Sequence, residues 1–286
     1  MAKTFIGIDL GGTKILAARV NQAEVFKREY RFLPEDNGDE NVVINIMIEV
    51  IKTLMDETVE GIGIGLPSIV DADEGIVYDV QNIPSWKEVH LIERLKPHFD
   101  VPIYMNNDAN CYALGEAYFG QGIECEFFVG LTIGTGLGAG IIYNKELING
   151  SSGASGEFGI LPYKDRTLED YCSGQFFDTE YGINGFEMFE MAKKGEKVAL
   201  DAFNIFGYHL GNAVKMIMST VDPQRITIGG SVAQSNEFFK EKMWETIRDY
   251  PYQRSVDNIQ IAFSDTNNRG MLGAASLCFD SKSVNI

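Results

Sequence analysis

Asp108 stands in the run Tyr104-Met105-Asn106-Asn107-Asp108-Ala109-Asn110, at the end of a short apolar stretch and the start of a helical one. A carboxylate where a strand hands over to a helix lies at the mouth of a sheet, and the helix N-terminus adds a local positive potential. Such a group can take a proton from a hydroxyl as a general base. It can equally cap the helix, a role for which Asn107 is as good a candidate. The three histidines, His90, His98 and His209, fall in no motif, which favours a carboxylate over an imidazole as base.

Glycine-rich turns suited to phosphate lie on both sides of Asp108 in sequence. In Asp9-Leu10-Gly11-Gly12-Thr13-Lys14 the glycines let backbone N–H groups face an oxyanion, Thr13 adds a hydroxyl and Lys14 a compact cation. Asp9, at a strand end, is placed to hold a hydrated Mg²⁺. A tight hairpin needs the same two glycines, and the spacing of a Walker A loop is absent. The turn Gly134-Thr135-Gly136 suits the terminal phosphates of a nucleotide. Gly134, Gly136 and Ala139 match a dinucleotide fingerprint formally, but a strand-like Gly-Ile-Ile-Tyr follows where that fingerprint requires a helix. A nicotinamide oxidoreductase is therefore the runner-up. Glu157, among glycines in Ser155-Gly156-Glu157-Phe158-Gly159, and Glu169 are loop acids of the kind that accept hydrogen bonds from vicinal sugar hydroxyls, or are simply solvated. Gly229-Gly230-Ser231 ends a strand with a glycine pair against which a flat base can lie, or that only turns the strand into a helix.

These groups need a scaffold, and the chain supplies alternating strands and helices. Residues 4–10 and 15–20 read as two strands about a Gly-Gly turn, a hairpin. Apolar residues at helical spacing over 41–55 predict a helix capped by Asp39. Gly61 to Pro67 reads as a buried strand whose glycines, Gly65 included, allow close approach by a backbone or a ligand. Residues 68–97 read as a loop with one short helix, carrying Asn82 and Trp86. A strand over 101–105 leads into Asp108 and a helix to about Gly120. A second hairpin, 127–133 and 138–143, echoes the first and suggests an internally duplicated fold. Loop-rich 149–166, helical 185–221, strand 225–228, helix 236–248, strand 258–263 and helix 270–280 complete an α/β pattern with two mixed sheets.

A chain of 286 residues is long enough for two domains. The net charge of −17 argues against nucleic acid and anionic membrane as partners, though not against a small anion held by backbone amides and a divalent cation. No signal-like N-terminus and no apolar run near 18 residues is present. Cys111, Cys125, Cys172 and Cys278 are far apart and form no metal-like pair, so they read as free thiols in a reducing compartment, the cytoplasm.

With these motifs in order, the chain resembles the ROK family of bacterial sugar kinases and related repressors, within the actin-like/hexokinase ATPase superfamily. The resemblance runs from Ile6 to about Leu277. It implies two actin-like ATPase (ribonuclease H-like) α/β domains with an interdomain cleft, 1–118 completed by the C-terminal helix 272–286, and 119–271. It implies ATP-dependent phosphorylation of a hexose at its primary hydroxyl, with ATP and Mg²⁺ as the other reactants. Asp108 is then the base, and Gly65, Asn82, Asn107, Glu157 and Glu169 join it on the sugar. Asp9, Gly11, Gly12, Thr13, Lys14, Gly134, Thr135, Gly136, Gly229, Gly230 and Ser231 serve the nucleotide, with Asp9 reaching Mg²⁺ through water. Family members are often homodimers, which the resemblance extends to this chain.

The sequence departs from the family in one place. Members usually carry a histidine after Gly159 and then three closely spaced cysteines that bind zinc; here Ile160 follows, and Cys172 stands alone. The expectation is no zinc, one sugar contact fewer, and space for a larger substituent. Glucose is the default sugar, with N-acetylmannosamine, N-acetylglucosamine, fructose and β-glucosides behind it. A repressor would need an N-terminal helix-turn-helix and a basic face, and a first strand beginning by Thr4 leaves no room for one. A non-catalytic sugar-binding relative would be expected to lose Asp108 or a phosphate turn, and both are retained.

Overall fold

The computed structural model describes residues 2–21, 24–35, 38–80, 82–264 and 268–279. Strands β1 (Thr4–Leu10), β2 (Lys14–Val20) and β3 (Val25–Phe32) lead to helix α1 (Asn41–Leu54) and strand β4 (Val59–Leu66). Short strands β5 (Ile69–Asp71), β6 (Ile76–Tyr78) and β7 (Glu88–Val89) precede α2 (Leu91–Leu95), β8 (Ile103–Asn107) and α3 (Asp108–Phe119). Next come β9 (Phe127–Ile133), β10 (Leu137–Tyr143), β11 (Glu146–Leu147), β12 (Pro162–Tyr163) and β13 (Arg166–Thr167). Helices α4 (Leu168–Cys172), α5 (Gln175–Tyr181), α6 (Gly185–Lys193) and α7 (Lys197–Val221) follow, then β14 (Arg225–Gly229), α8 (Asn236–Ile247), α9 (Gln253–Asn258), β15 (Gln260–Phe263) and α10 (Arg269–Ser276).

The chain divides into two compact units: Met1–Glu124 with Gly140–Ser155 and Asn268–Ile286, and Cys125–Ala139 with Gly156–Asn267. The expected second domain of 119–271 differs in that 140–155 belongs with the first unit. The local reason is packing: a Cβ on Gly140 would meet Asn110 and Ala113 of α3, so β10 lies tight against that helix. Of the expected C-terminal helix 272–286, residues 280–286 lie outside the described residues.

In the first unit the strand order is β3-β2-β1-β4-β8. The hairpin strands pair antiparallel, whereas β1–β4 and β4–β8 are parallel. One face of the sheet, built from Ile6, Ile8, Leu10 and Ile15, is covered by the apolar stripe Val43, Ile44, Met47, Ile51 and Leu54 of α1. Burying each such side chain is worth about 1.5–3 kcal/mol. The opposite face is lined by glycines at alternate positions. A Cβ on Gly63 would overlap the carbonyl of Ala274, so the missing side chain lets α10 lie directly on the strands. Because side chains alternate along a strand, Asp9 faces the same side as Gly7.

Asp39 caps the start of α1 as expected: its Oδ1 accepts from Asn41 N at 2.9 Å and from Asn41 Nδ2 at 2.8 Å, its carbonyl accepts from Val42 N at 3.2 Å, and Glu40 between them is already helical. One local expectation is corrected. Residues 68–97 hold not only α2 but a three-stranded sheet, β5-β6-β7, whose two- and three-residue strands are too short to show a period in sequence.

The second sheet has the order β11-β10-β9-β14-β15, with β14 parallel to both β9 and β15. In the second unit Phe176, Phe177, Phe203, Phe206 and Phe239 form a buried aromatic core joining α5, α7 and α8.

Candidate active site

Parallel pairing decides where the chemistry sits in the first unit. Asp9 of β1 is in register with Gly65 of β4, and Gly65 and Leu66 with Asn106 and Asn107 of β8. The carboxyl ends of three neighbouring strands therefore share one edge of the sheet, where open α/β folds bind ligands. Gly11 N donates to Lys14 O at 2.8 Å to close the first glycine turn. Gly12 has no room for a side chain, since a Cβ there would overlap Asn82. The first glycine turn and Asn82 are thus neighbours. Together with Leu33, Val43 and Ile83 they line a concave region of about 380 Å³.

Asp9 is a buried acid at this edge. Burial lifts its pKa from 3.8 to about 6, against the pull of Lys14. A Cβ on Gly270, at the start of α10, would stand 3.0 Å from Asp9 Oδ2, so a glycine keeps space open beside the carboxylate. Lys14 itself is exposed, with its ammonium 6.0 Å over the Tyr30 ring.

Asn107, not Asp108, caps α3. Its Oδ1 accepts from Ala109 N at 2.8 Å and its Nδ2 donates to Ser68 O at 3.1 Å, so the side chain expected on the sugar is engaged in the fold. Asp108 is the first helical residue, set in the positive field of the helix start. Burial, then Asp9, then Asp108 raise the Cys111 thiol well above its usual pKa, so both acids lie close enough to act on one buried side chain. Gly65 packs on that same cysteine: its Cβ would meet Cys111 Sγ at 3.2 Å, so the missing side chain lets α3 approach the strand.

In the second unit, β9 and β14 run parallel with Gly229 opposite Thr132, which brings the two later glycine turns together. Gly230 adopts φ +93°, and a Cβ there would overlap Ile133 O, so glycine is required twice over. A Cβ on Gly134 would meet only Ser231 Oγ, at 3.9 Å, leaving that face of the turn open as a cradle. The turn is held from beneath: Gly174 N donates to Gly134 O at 2.8 Å and Gln175 Nε2 to Thr135 O at 3.2 Å. Neither partner carries a motif, and each stands some forty positions from its turn residue, so no spacing in the sequence signals them.

Glu169 is tied to the same turn. Its Oε2 accepts from Leu137 N at 2.8 Å, and a Cβ on Gly136 would stand 2.5 Å from that oxygen. Partial burial and the charge of Glu169 raise the pKa of Glu157, so the two loop acids lie near each other. Replacing Glu169 with alanine is expected to loosen the second glycine turn and weaken nucleotide affinity about tenfold, by loss of a charge-assisted bond worth about 1.5–3 kcal/mol. Titration with Mg²⁺–ATP followed calorimetrically checks this. Glu169→Gln, which keeps an acceptor for Leu137 N, should lose less.

The histidines stay outside. His209 Nδ1 lies 3.0 Å from Tyr163 Oη, and burial, then Lys164, lower its pKa to about 4. It is neutral at physiological pH and engaged elsewhere. Among the described residues, no group of three His, Cys, Asp or Glu side chains could hold a metal ion. A single carboxylate such as Asp9 fits Mg²⁺, which keeps most of its waters and binds through one or two carboxylates plus phosphate oxygens. The second hairpin opens into β10, a strand, which removes the dinucleotide fingerprint and with it the nicotinamide reading. No helix among the described residues is long and apolar enough to cross a membrane.

A model of the ROK family matches residues 5–281. The chain is 27% identical to a glucokinase of Thermotoga maritima over 95% of this chain and 96% of that one. It is also 27% identical to a xylose repressor of Caldicellulosiruptor bescii, over 94% of this chain and 76% of that one. Among solved structures it resembles a ROK family glucokinase from Streptomyces griseus in complex with glucose and AMPPNP, with a TM-score of 0.77 and 25% identity, covering 96% of this chain and 98% of that one.

Proposed function

The chain belongs to the ROK family, and from that premise we propose that it transfers the γ-phosphoryl group of ATP to the primary hydroxyl of a hexose. The observation that carries the reading is the strand-end edge of the first unit. Asp108 is the first residue of a helix there, in a row with Asp9 and the first glycine turn. A base beside a phosphate turn is what a hydroxyl acceptor needs. Asp108 takes the hydroxyl proton as the sugar oxygen forms its bond to the γ-phosphorus, and the bond to the β,γ-bridging oxygen breaks to release ADP. Gly11, Gly12 and Thr13, with Gly134 to Gly136, hold the phosphates by backbone amides. Gly229 to Ser231 seat the adenosine. Asn82, Glu157 and Glu169 orient the remaining hydroxyls, Glu169 with the oxygen not given to Leu137.

Asp9 would hold Mg²⁺ through water, and the bound ion neutralises charge on the phosphates. Positioning and electrostatics do most of this chemistry. Glucose is the first sugar to try, since the similar proteins from Thermotoga maritima and Streptomyces griseus are glucokinases. The likeness to a xylose repressor favours a second reading, sugar binding without transfer. ADP release coupled to NADH oxidation, measured with Mg²⁺–ATP over glucose, N-acetylmannosamine, N-acetylglucosamine, fructose and a β-glucoside, separates the two. Sugar-dependent turnover on at least one is expected. Saturable sugar binding with no turnover on any would replace the kinase reading with the second.

A further inference from the structure

A buried asparagine network stands behind the proposed base. Asn106, at 7% exposure, directs Oδ1 to Asn107 N and to Asn110 Nδ2, each at 2.8 Å, and donates Nδ2 to Asn149 Oδ1 at 3.0 Å. The bond to Asn107 N fixes the peptide immediately before Asp108. The bond to Asn110 reaches one turn along the helix that Asp108 begins. Asn149 anchors the other end: it opens a loop that Ser155 N closes by donating to Asn149 O at 3.1 Å, eight positions before Glu157 in the chain.

The arrangement is kept at a cost. Asn110 is 2% exposed, and its Oδ1 has no hydrogen-bond partner, so its amide is turned to serve Asn106 rather than itself. We infer that Asn106 is the positioning residue for Asp108 and that Asn149 is its tether, linking the attitude of the base to the loop that leads into Glu157. This rests on the kinase reading for its consequence, though not for its geometry.

Two readouts keep those apart. In Asn149→Ala the tether is gone, and amide exchange at Asn107 and Ala109 is expected to quicken about tenfold, the equivalent of one net hydrogen bond. Turnover is expected to fall about tenfold as well, with KM for sugar and ATP within about twofold of the parent and the melting temperature nearly unchanged. Asn149→Asp keeps an acceptor for Asn106 Nδ2 and should restore both readouts. In Asn106→Asp the Asn149 amide can turn to donate, whereas Asn106→Asp with Asn149→Asp sets two carboxylates face to face and should lose more than the single changes sum to. Unchanged exchange in Asn149→Ala overturns the tether. A loss of turnover matched by a fall in melting temperature, not rescued by aspartate, reduces the network to scaffolding. A parent chain that phosphorylates no sugar fails the kinase reading, while the exchange arm still decides the tether.

Discussion

Asp108→Asn is expected to lower kcat by about 10²–10⁴ while sugar and ATP affinities stay close to those of the parent. The amide is nearly the same size and can still hydrogen-bond a hydroxyl, but it cannot take the proton. The helix should be undisturbed, because Asn107 supplies its cap: the Ala109 N to Asn107 Oδ1 bond of 2.8 Å does not involve Asp108. That separation makes the substitution informative. Were Asp108 the cap, its loss would cost about 1 kcal/mol of stability and confuse the result. Steady-state kinetics with a melting curve checks both halves: a large fall in kcat, no matching fall in KM, and a melting temperature within a few degrees.

Asp9→Asn should combine lost activity with gained stability. Burial raises the Asp9 pKa from 3.8 to about 6, so the folded protein binds this proton more tightly than the unfolded chain does. The fold is therefore penalised for the charge as pH rises from about 4 to 6, and the full penalty persists above that range. A shift of this size corresponds to at most about 3 kcal/mol. Asparagine removes the penalty, so the variant is expected to melt several degrees higher than the parent at pH 8 and at nearly the same temperature at pH 4. Activity should move the other way. An ionised Asp9 is needed beside the metal-bound phosphates, so kcat of the parent should rise with pH through about 6, and the variant should lose about 10²-fold or more at neutral pH. A strained group retained against stability is what a functional site shows. Equal loss of stability and activity would instead make Asp9 a structural acid.

Much of this was legible in the sequence, and the parts that were not have a common cause. The hairpins were readable because a glycine turn between two apolar alternations has few other solutions, and β1–β2 and β9–β10 form there. The strand-to-helix junction at Asp108 was readable from a change of period. What single residues do within the site was less so, because it depends on partners far along the chain. Glu169 reads as a free loop acid until Leu137 N is seen beside it, 32 residues away. Asn107 reads as a sugar ligand, and its bonds to Ala109 N and Ser68 O appear only in the fold. Asn106 gives no signal at all, since only the fold brings Asn149 to it across 43 residues. The glycines behave the same way. Gly12 looks like turn chemistry, yet its missing side chain is what admits Asn82 to the phosphate turn.

The central claim is transfer to a primary hydroxyl, and phosphorus NMR of the product tests it most directly. The chain, incubated with Mg²⁺–ATP and the sugar that gives the fastest ADP release, should yield one new phosphomonoester resonance. That resonance should be split by two methylene protons and grow in step with ADP. An anomeric phosphate, or inorganic phosphate alone, would contradict the account.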